Sequence, residues 1–213
     1  ALLARAQPDL DLYDPTVLTA AQMREQALEA EETALAVAGV TNSGGSGVGA
    51  GLGGIVLATS TGFLGHYVGS RFSRSVSVIA GEGTTMERDW DASSRLHFAD
   101  LDTPAKIGQT AAERAVKRLK PRKMPTGPVD VIFDPRVARG IAGHLASAIN
   151  GASVARKTSF LRDKMGQAVA SAAITVSDEP LKMRGQASRP FDGEGVAGEK
   201  LLMIDKGVLN HWF

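Results

Sequence analysis

Prolines at 121, 125 and 128 interrupt the segment Lys120-Pro121-Arg122-Lys123-Met124-Pro125-Thr126-Gly127-Pro128, and no regular element can cross it. Each proline lacks a backbone donor, and its ring collides with the preceding helical turn, so neither a helix nor a central strand survives here. The chain must therefore organise separately on either side. At roughly 150 residues per domain, 213 residues allow one large domain or two small ones, each with its own core. We expect an N-terminal α+β domain over residues 1–120, a Pro-rich linker over 121–128, and over 129–213 the start of a second, C-terminal α+β domain that is cut short.

Upstream of the prolines, Thr19-Ala20-Ala21-Gln22 forms a capping box, in which the Thr hydroxyl and the Gln amide satisfy free backbone N–H groups. The helix it starts runs to about Ala38, with Met23, Ala27, Ala30, Ala34 and Val37 on an apolar stripe and Glu25, Glu29, Glu31 and Glu32 outside it. Residues 41–54 are so rich in glycine that a loop or flexible hairpin is expected. A strand Ile55–Thr59 and a turn at Thr61-Gly62 follow. Alternation from His66 to Ala80 then places Val68, Phe72, Val76 and Val78 in a second strand. A turn at Gly81-Glu82-Gly83 leads into a third strand ending at Trp90. Thr103 as N-cap and Pro104 at the first helical position open another helix, with Ile107, Ala111, Ala115 and Leu119 inward.

Downstream, Val129-Asp130-Val131-Ile132-Phe133 reads as a buried strand. Asp134-Pro135 then starts a helix to about Asn150-Gly151, with Val137, Ile141, Leu145 and Ile149 as its core stripe and His144 a packed or capping histidine on the same side. Gln167–Val176 reads as a strand, and Glu179–Glu199 as turns. The expected fold class is α+β: an antiparallel β-meander with flanking helices, followed by a second mixed α/β segment.

Composition removes several chemistries. Without cysteine there is no disulfide framework, thiolate nucleophile or Cys-ligated zinc, and a reducing cytoplasm is the default compartment. Twenty-four Lys and Arg against 23 Asp and Glu leave no long-range field to gather nucleic acid or anionic lipid. No apolar run approaches the ~20 residues of a membrane helix. Gly49-Ala50-Gly51-Leu52-Gly53-Gly54 fits GxGxxG formally, but a strand rather than a helix follows it, so a mobile hairpin is the better reading. In Gly151–Thr158, Arg156 occupies the place where a phosphate loop needs its second glycine.

Histidines 66, 97, 144 and 211 lack the spacing that puts two imidazoles and a carboxylate around one zinc. Lys157 with Ser159, or Ser153 with Lys157, could form a base and nucleophile, though no oxyanion hole accompanies them. Glu87, Asp89 and Asp91 alternate and would share one strand face opposite Arg88, as a solvated row, a cation site, or partners of Arg156 and Lys157. The basic residues Lys120, Arg122 and Lys123 have no interleaved aromatics, which argues against a nucleic-acid surface.

Six strings, in order along the chain, resemble the TldD/PmbA family, and its PmbA (TldE) branch most: Ala58–Phe63, Met86–Asp91, Ala112–Val116, Phe133–Pro135, Ala155–Leu161 and Ser188–Gly195. Family members are roughly twice as long, judged against ordinary domain sizes, so the chain resembles an internal piece of one. The resemblance implies a two-subunit cytoplasmic peptidase in which the TldD-type chain carries a His-Glu-x-x-x-His zinc helix. The corresponding helix here has His144 but no Glu, which agrees with the partner branch. The implied role is thus a non-catalytic subunit of a metallopeptidase, with no cofactor or metal in this chain and zinc in a TldD-type partner. The implied partner is that homologue or a second copy. Unfolded peptide would be enclosed between the chains, held by strand addition along the meander from Ile55 to Trp90. Glu87, Arg88, Asp89, Arg156, Lys157, Thr158, Ser159, Phe160, Arg189, Phe191 and Asp192 are the substrate or interface residues it implies. Two alternatives stand beside it: a regulator binding DNA gyrase or DNA, as the family's older description suggests, and an autonomous hydrolase using Lys157, Ser159 or Lys164.

Overall fold

Thr19 caps helix α1, Ala20–Leu35, and both halves of the expected capping box form: Thr19 Oγ1 accepts from the Gln22 N–H, and Gln22 Oε1 accepts from the Thr19 N–H. Ala30 and Ala34 are its buried residues, so small side chains bring its backbone close to what it covers. In this computed structural model, which describes residues 3–213, two compact units form: Ala1–Met124 with Leu181–Ala197, and Pro125–Pro180 with Gly198–Phe213.

The first unit is built on a three-stranded antiparallel sheet of β1 (Val40–Ala58), β2 (Leu64–Ala80) and β3 (Glu87–Arg95), in that order. The fold is α+β, as expected. The glycine-rich stretch is not a loop: it is most of β1, paired with β2 from Val40↔Ala80 to Ala58↔Leu64. Its glycines do not decide its conformation. The alternating partner strand does, supplying a ladder, with register shifts only between Val40 and Asn42 and between Ser43 and Gly45, that offsets the entropy glycine loses in a strand. Even-numbered residues of β2, Phe72, Arg74, Val76, Val78 and Ala80, are buried beneath the helices.

Helix α2, Pro104–Lys117, has the predicted Thr103 cap and first-turn proline, and lays Ile107, Ala111, Ala112 and Ala115 on Val76, Val78 and Ala80. Burying Ile107 alone contributes about 1.5–3 kcal/mol. The two helices approach so closely that a Cβ on Gly108 would strike the Ala30 carbonyl oxygen.

Residues 181–197 close the far end of the hairpin. Phe191 is buried edge-on against Phe63 and Tyr67, with ring centroids 4.9 and 5.4 Å away. The following turn needs glycine at 195, where φ is +79° and an added Cβ would come within 2.6 Å of the Phe63 ring.

In the second unit, helix α3 (Pro135–Ala148) starts on the Asp134 cap, and Asn150 caps the short α4 (Gly151–Ala155). Strands β4 (Val176–Asp178), β5 (Leu201–Asp205) and β6 (Val208–Leu209) form a small antiparallel sheet. Ile149, Leu161, Met203, Ile204 and Leu209 are its core.

Three expectations fail here. Val129–Phe133 is no buried strand: it pairs with no strand and Ile132 is 96% exposed, because its apolar pattern meets no sheet among the described residues. Val137, Ile141 and His144 are likewise exposed, so only the C-terminal end of the α3 stripe, Leu145 to Ile149, meets the core. Of Gln167–Val176 only Val176, the first residue of β4, lies in a strand; Ala168 makes an isolated bridge to Val208 and the rest is irregular. Gly166 has φ +74°, and the Val169 and Ala170 N–H groups converge on the single Gly207 carbonyl instead of entering a ladder.

Candidate functional site

Strand β1 is the edge of the first sheet, and no strand pairs with its other side among the described residues. Which of its groups face that side follows from β2. The Ser70 N–H points away from β1 to the Leu12 carbonyl, and the His66 N–H to Gln7 Oε1. Their cross-strand partners, Leu52 and Val56, are therefore non-hydrogen-bonded pairs, whose own N–H and C=O aim outward. Ala50 and Gly54 share that parity. Leu52 and Val56 are 67% and 78% exposed, so water alone competes for this row of donors and acceptors.

Beside the edge lie shallow grooves. One, of about 440 Å³, is floored by Gly51, Gly53 and Gly69 and walled by Leu12, Tyr67 and the 185–189 turn, with Arg71 and Arg189 on its rim. The Arg71 guanidinium donates to the Gln186 carbonyl at 3.5 Å, and the Gln186 amide donates to the Ser94 carbonyl, which pins the turn over the sheet. A second groove, of about 390 Å³, shares Leu12 and Tyr67 and runs along Gln7–Tyr13 and His66.

The residues singled out from the sequence fall into three places. Glu87 and Asp89 line one face of β3 with Asp91, and their cationic partners are Arg114 and Arg118 of α2, not Arg156 and Lys157. The row thus clamps helix to sheet. Arg88 lies on the opposite face, exposed. Arg189, Phe191 and Asp192 come together in the 181–197 segment. Phe191 is core, and Asp192 Oδ1 accepts from both the Glu194 and Val196 N–H groups at 2.9 Å. The Val196 bond is the foremost cause that holds this carboxyl below its ordinary value, with Glu194 and the charge of Arg189 assisting. Only Arg189 of the three reaches a groove.

Residues 156–160 belong to the second unit. Arg156 is the C-cap of α4, and Lys157 reverses the chain at φ +61°. Thr158 Oγ1 donates to the Ser153 carbonyl at 3.1 Å. The buried Ser159 hydroxyl donates to the Ala148 carbonyl at 2.5 Å and accepts from the Leu161 N–H at 3.0 Å, so it is spent on linking α3 to the following turn. Phe160 is 80% exposed. Lys164 Nζ reaches Gln167 Oε1 at 3.4 Å rather than a serine.

A polar knot not foreseen from the sequence surrounds His97. Its Nε2 lies 2.9 Å from the Asp11 carbonyl and 3.3 Å from Asp11 Oδ1, while Arg184 Nε donates to Asp11 Oδ2 at 2.5 Å and its Nη1 to Asp100 Oδ2 at 3.1 Å. The knot ties residues 10–14 to the 181–197 segment, across separations in sequence that no local pattern encodes. Arg74 is also buried, over the Phe98 ring and bonded to Gln26 and the Asp102 carbonyl; burial draws its guanidinium below the ordinary value, with Glu29 opposing.

Among the described residues, no three His, Asp or Glu side chains gather as a metal site, and zinc ligation is assigned to none of them. No helix among them is long and apolar enough to cross a membrane.

The sequence profile of the PmbA/TldA metallopeptidase central domain matches residues 13–119, and that of the PmbA/TldA metallopeptidase C-terminal domain matches 126–213. The chain is 40% identical to metalloprotease PmbA of Escherichia coli over 99% of its own length and 47% of that protein's. It is 38% identical to the PmbA homologue of Haemophilus influenzae, over 98% and 46%. A crystal structure from Bacteroides thetaiotaomicron, of a protein named as a candidate modulator of DNA gyrase, superposes with a TM-score of 0.91 at 32% identity, covering 98% of this chain and 48% of that one. The chain thus spans about half the length of the curated relatives it matches.

Proposed function

The chain belongs to the PmbA/TldD metallopeptidase family, and from that premise we propose that it supplies the peptide-holding half of a two-subunit cytoplasmic peptidase whose zinc resides in a TldD-type partner. The observation that carries this reading is the β1 edge. An unfolded substrate has no fixed side-chain pattern, but every residue offers a backbone donor and acceptor, so a long unpaired strand edge captures it by main-chain bonds without regard to sequence. Glycine suits such an edge, because it adds no side chain to obstruct the incoming backbone.

The donor set fits zinc poorly. His144 stands exposed on α3, with Arg136 and Arg139 on the same helix and no glutamate in it. A catalytic zinc needs three protein ligands and an activated water. In the proposed complex, this chain orients extended peptide and excludes water, and zinc held by the partner would supply the Lewis acid for hydrolysis.

Metal analysis combined with a peptidase assay tests the division of labour. The chain alone is expected to bind no stoichiometric zinc and to leave unfolded peptide intact, and addition of a TldD-type homologue to bring hydrolysis. Stoichiometric zinc with full activity in the isolated chain would overturn it.

A further inference from the structure

We propose that the groove between the β1–β2 ribbon and the 185–189 turn binds an acidic side chain of an extended peptide. The inference rests on the peptide-holding reading above and names a substrate preference for the same unit. Two arginines, Arg71 and Arg189, line the groove, and no Asp or Glu does. Both arginines are exposed. The bond from Arg71 to the Gln186 carbonyl uses one of its five N–H donors. Asp192 is the carboxylate whose charge Arg189 feels, but its Oδ1 is committed to the Glu194 and Val196 N–H groups.

Shape agrees with charge. A Cβ built on Gly51 or Gly53 meets nothing within 4 Å, so the floor is open to an approaching chain. Leu12 and Tyr67 offer apolar wall for the methylenes of a glutamate. The groove also continues at both ends: it shares Leu12 and Tyr67 with the groove along Gln7–Tyr13, and Gly51, Leu52 and Ser70 with one along Tyr13–Leu18. A peptide can pass through it, which favours a side-chain carboxylate over a chain terminus.

The test is fluorescence anisotropy of labelled unfolded peptides on the 213-residue chain. Three C-terminally amidated peptides are compared, differing only in Glu, Gln or Lys at a central position, with a fourth carrying Gln and a free carboxylate. The Glu peptide is expected to bind about 10-fold more tightly than the Gln peptide at low ionic strength, with the margin shrinking as salt rises. Arg71→Gln with Arg189→Gln should erase the margin between the Glu and Gln peptides in a variant that keeps the parent's circular dichroism spectrum. Equal binding of Glu and Gln peptides, a margin that survives the double substitution, or a preference confined to the free carboxylate would each overturn the inference and leave the peptide-holding reading standing. Binding of no peptide at all would overturn both.

Discussion

Arg114 Nη1 lies 2.5 Å from Asp91 Oδ1, fastening helix α2 to the outermost strand of the sheet. Neighbouring Arg118 extends the contact to Glu87 at 3.4 Å and Asp89 at 3.6 Å. The acidic row is therefore a clamp with its cations 23 or more residues away in sequence. Asp91→Asn is expected to lower stability by about 1 kcal/mol, since the pair is only partly shielded from water. A double-mutant cycle with Arg114→Met, followed by urea denaturation, should return a coupling of similar size.

Gly108 is where α1 and α2 touch. A methyl group there collides with the Ala30 carbonyl, a backbone atom that cannot rotate away. Gly108→Ala should therefore cost about 1–3 kcal/mol despite the better helix propensity of alanine, visible as a lowered thermal midpoint. An unchanged or raised midpoint would show that the helices part freely.

Ser159→Ala separates a structural serine from a nucleophile. Removing the hydroxyl strands the Ala148 carbonyl in a buried position, at a cost of about 1–3 kcal/mol. With zinc in the partner as the catalyst, peptide hydrolysis by the mixed complex persists at temperatures where the variant is folded. Abolished hydrolysis in a folded variant would instead favour the Lys/Ser hydrolase.

Acid should loosen the first unit. Asp192 (held down first by the Val196 N–H), Asp102 (first by the Lys106 ammonium) and Asp14 (first by Thr16) all titrate below the ordinary 3.8. A depressed carboxyl contributes stability that is complete above its unfolded value and is lost as pH falls through the folded one. The thermal midpoint should thus hold from neutral pH down to about pH 5 and drop below about pH 4. Asp192→Asn should flatten part of that acid limb, because the amide oxygen still accepts hydrogen bonds but no longer titrates.

What was readable in the sequence was local. The Thr19 box, the Thr103-Pro104 and Asp134-Pro135 starts and the β2 alternation are each encoded within a few residues, and each appears where expected. Of the strand at Val40–Ala58 only the end from Ile55 is legible, because glycine carries no periodic side chain; the conformation of the rest is imposed by β2 across the ladder. Val129–Phe133 erred the other way, since a strand-like pattern forms a sheet only where a neighbour exists. At the candidate site, Arg189 falls in a string the sequence singles out, but its companion Arg71 is hidden in an ordinary strand, and Gly51 and Gly53 carry only the signal of a loop or flexible hairpin. Their convergence depends on residues 181–197 folding back onto the hairpin, through the buried Phe191 and the bonds of Arg184 to Asp11 and Asp100.

Residue-resolved amide hydrogen exchange of the chain, with and without an unfolded peptide, tests strand addition most directly. The outward N–H groups of Ala50, Leu52, Gly54 and Val56 should exchange more slowly when peptide is bound, while the inward ones of Gly51, Gly53 and Ile55, already paired with β2, stay as they were. Bound peptide with no slowing at those four amides would contradict strand addition at the β1 edge.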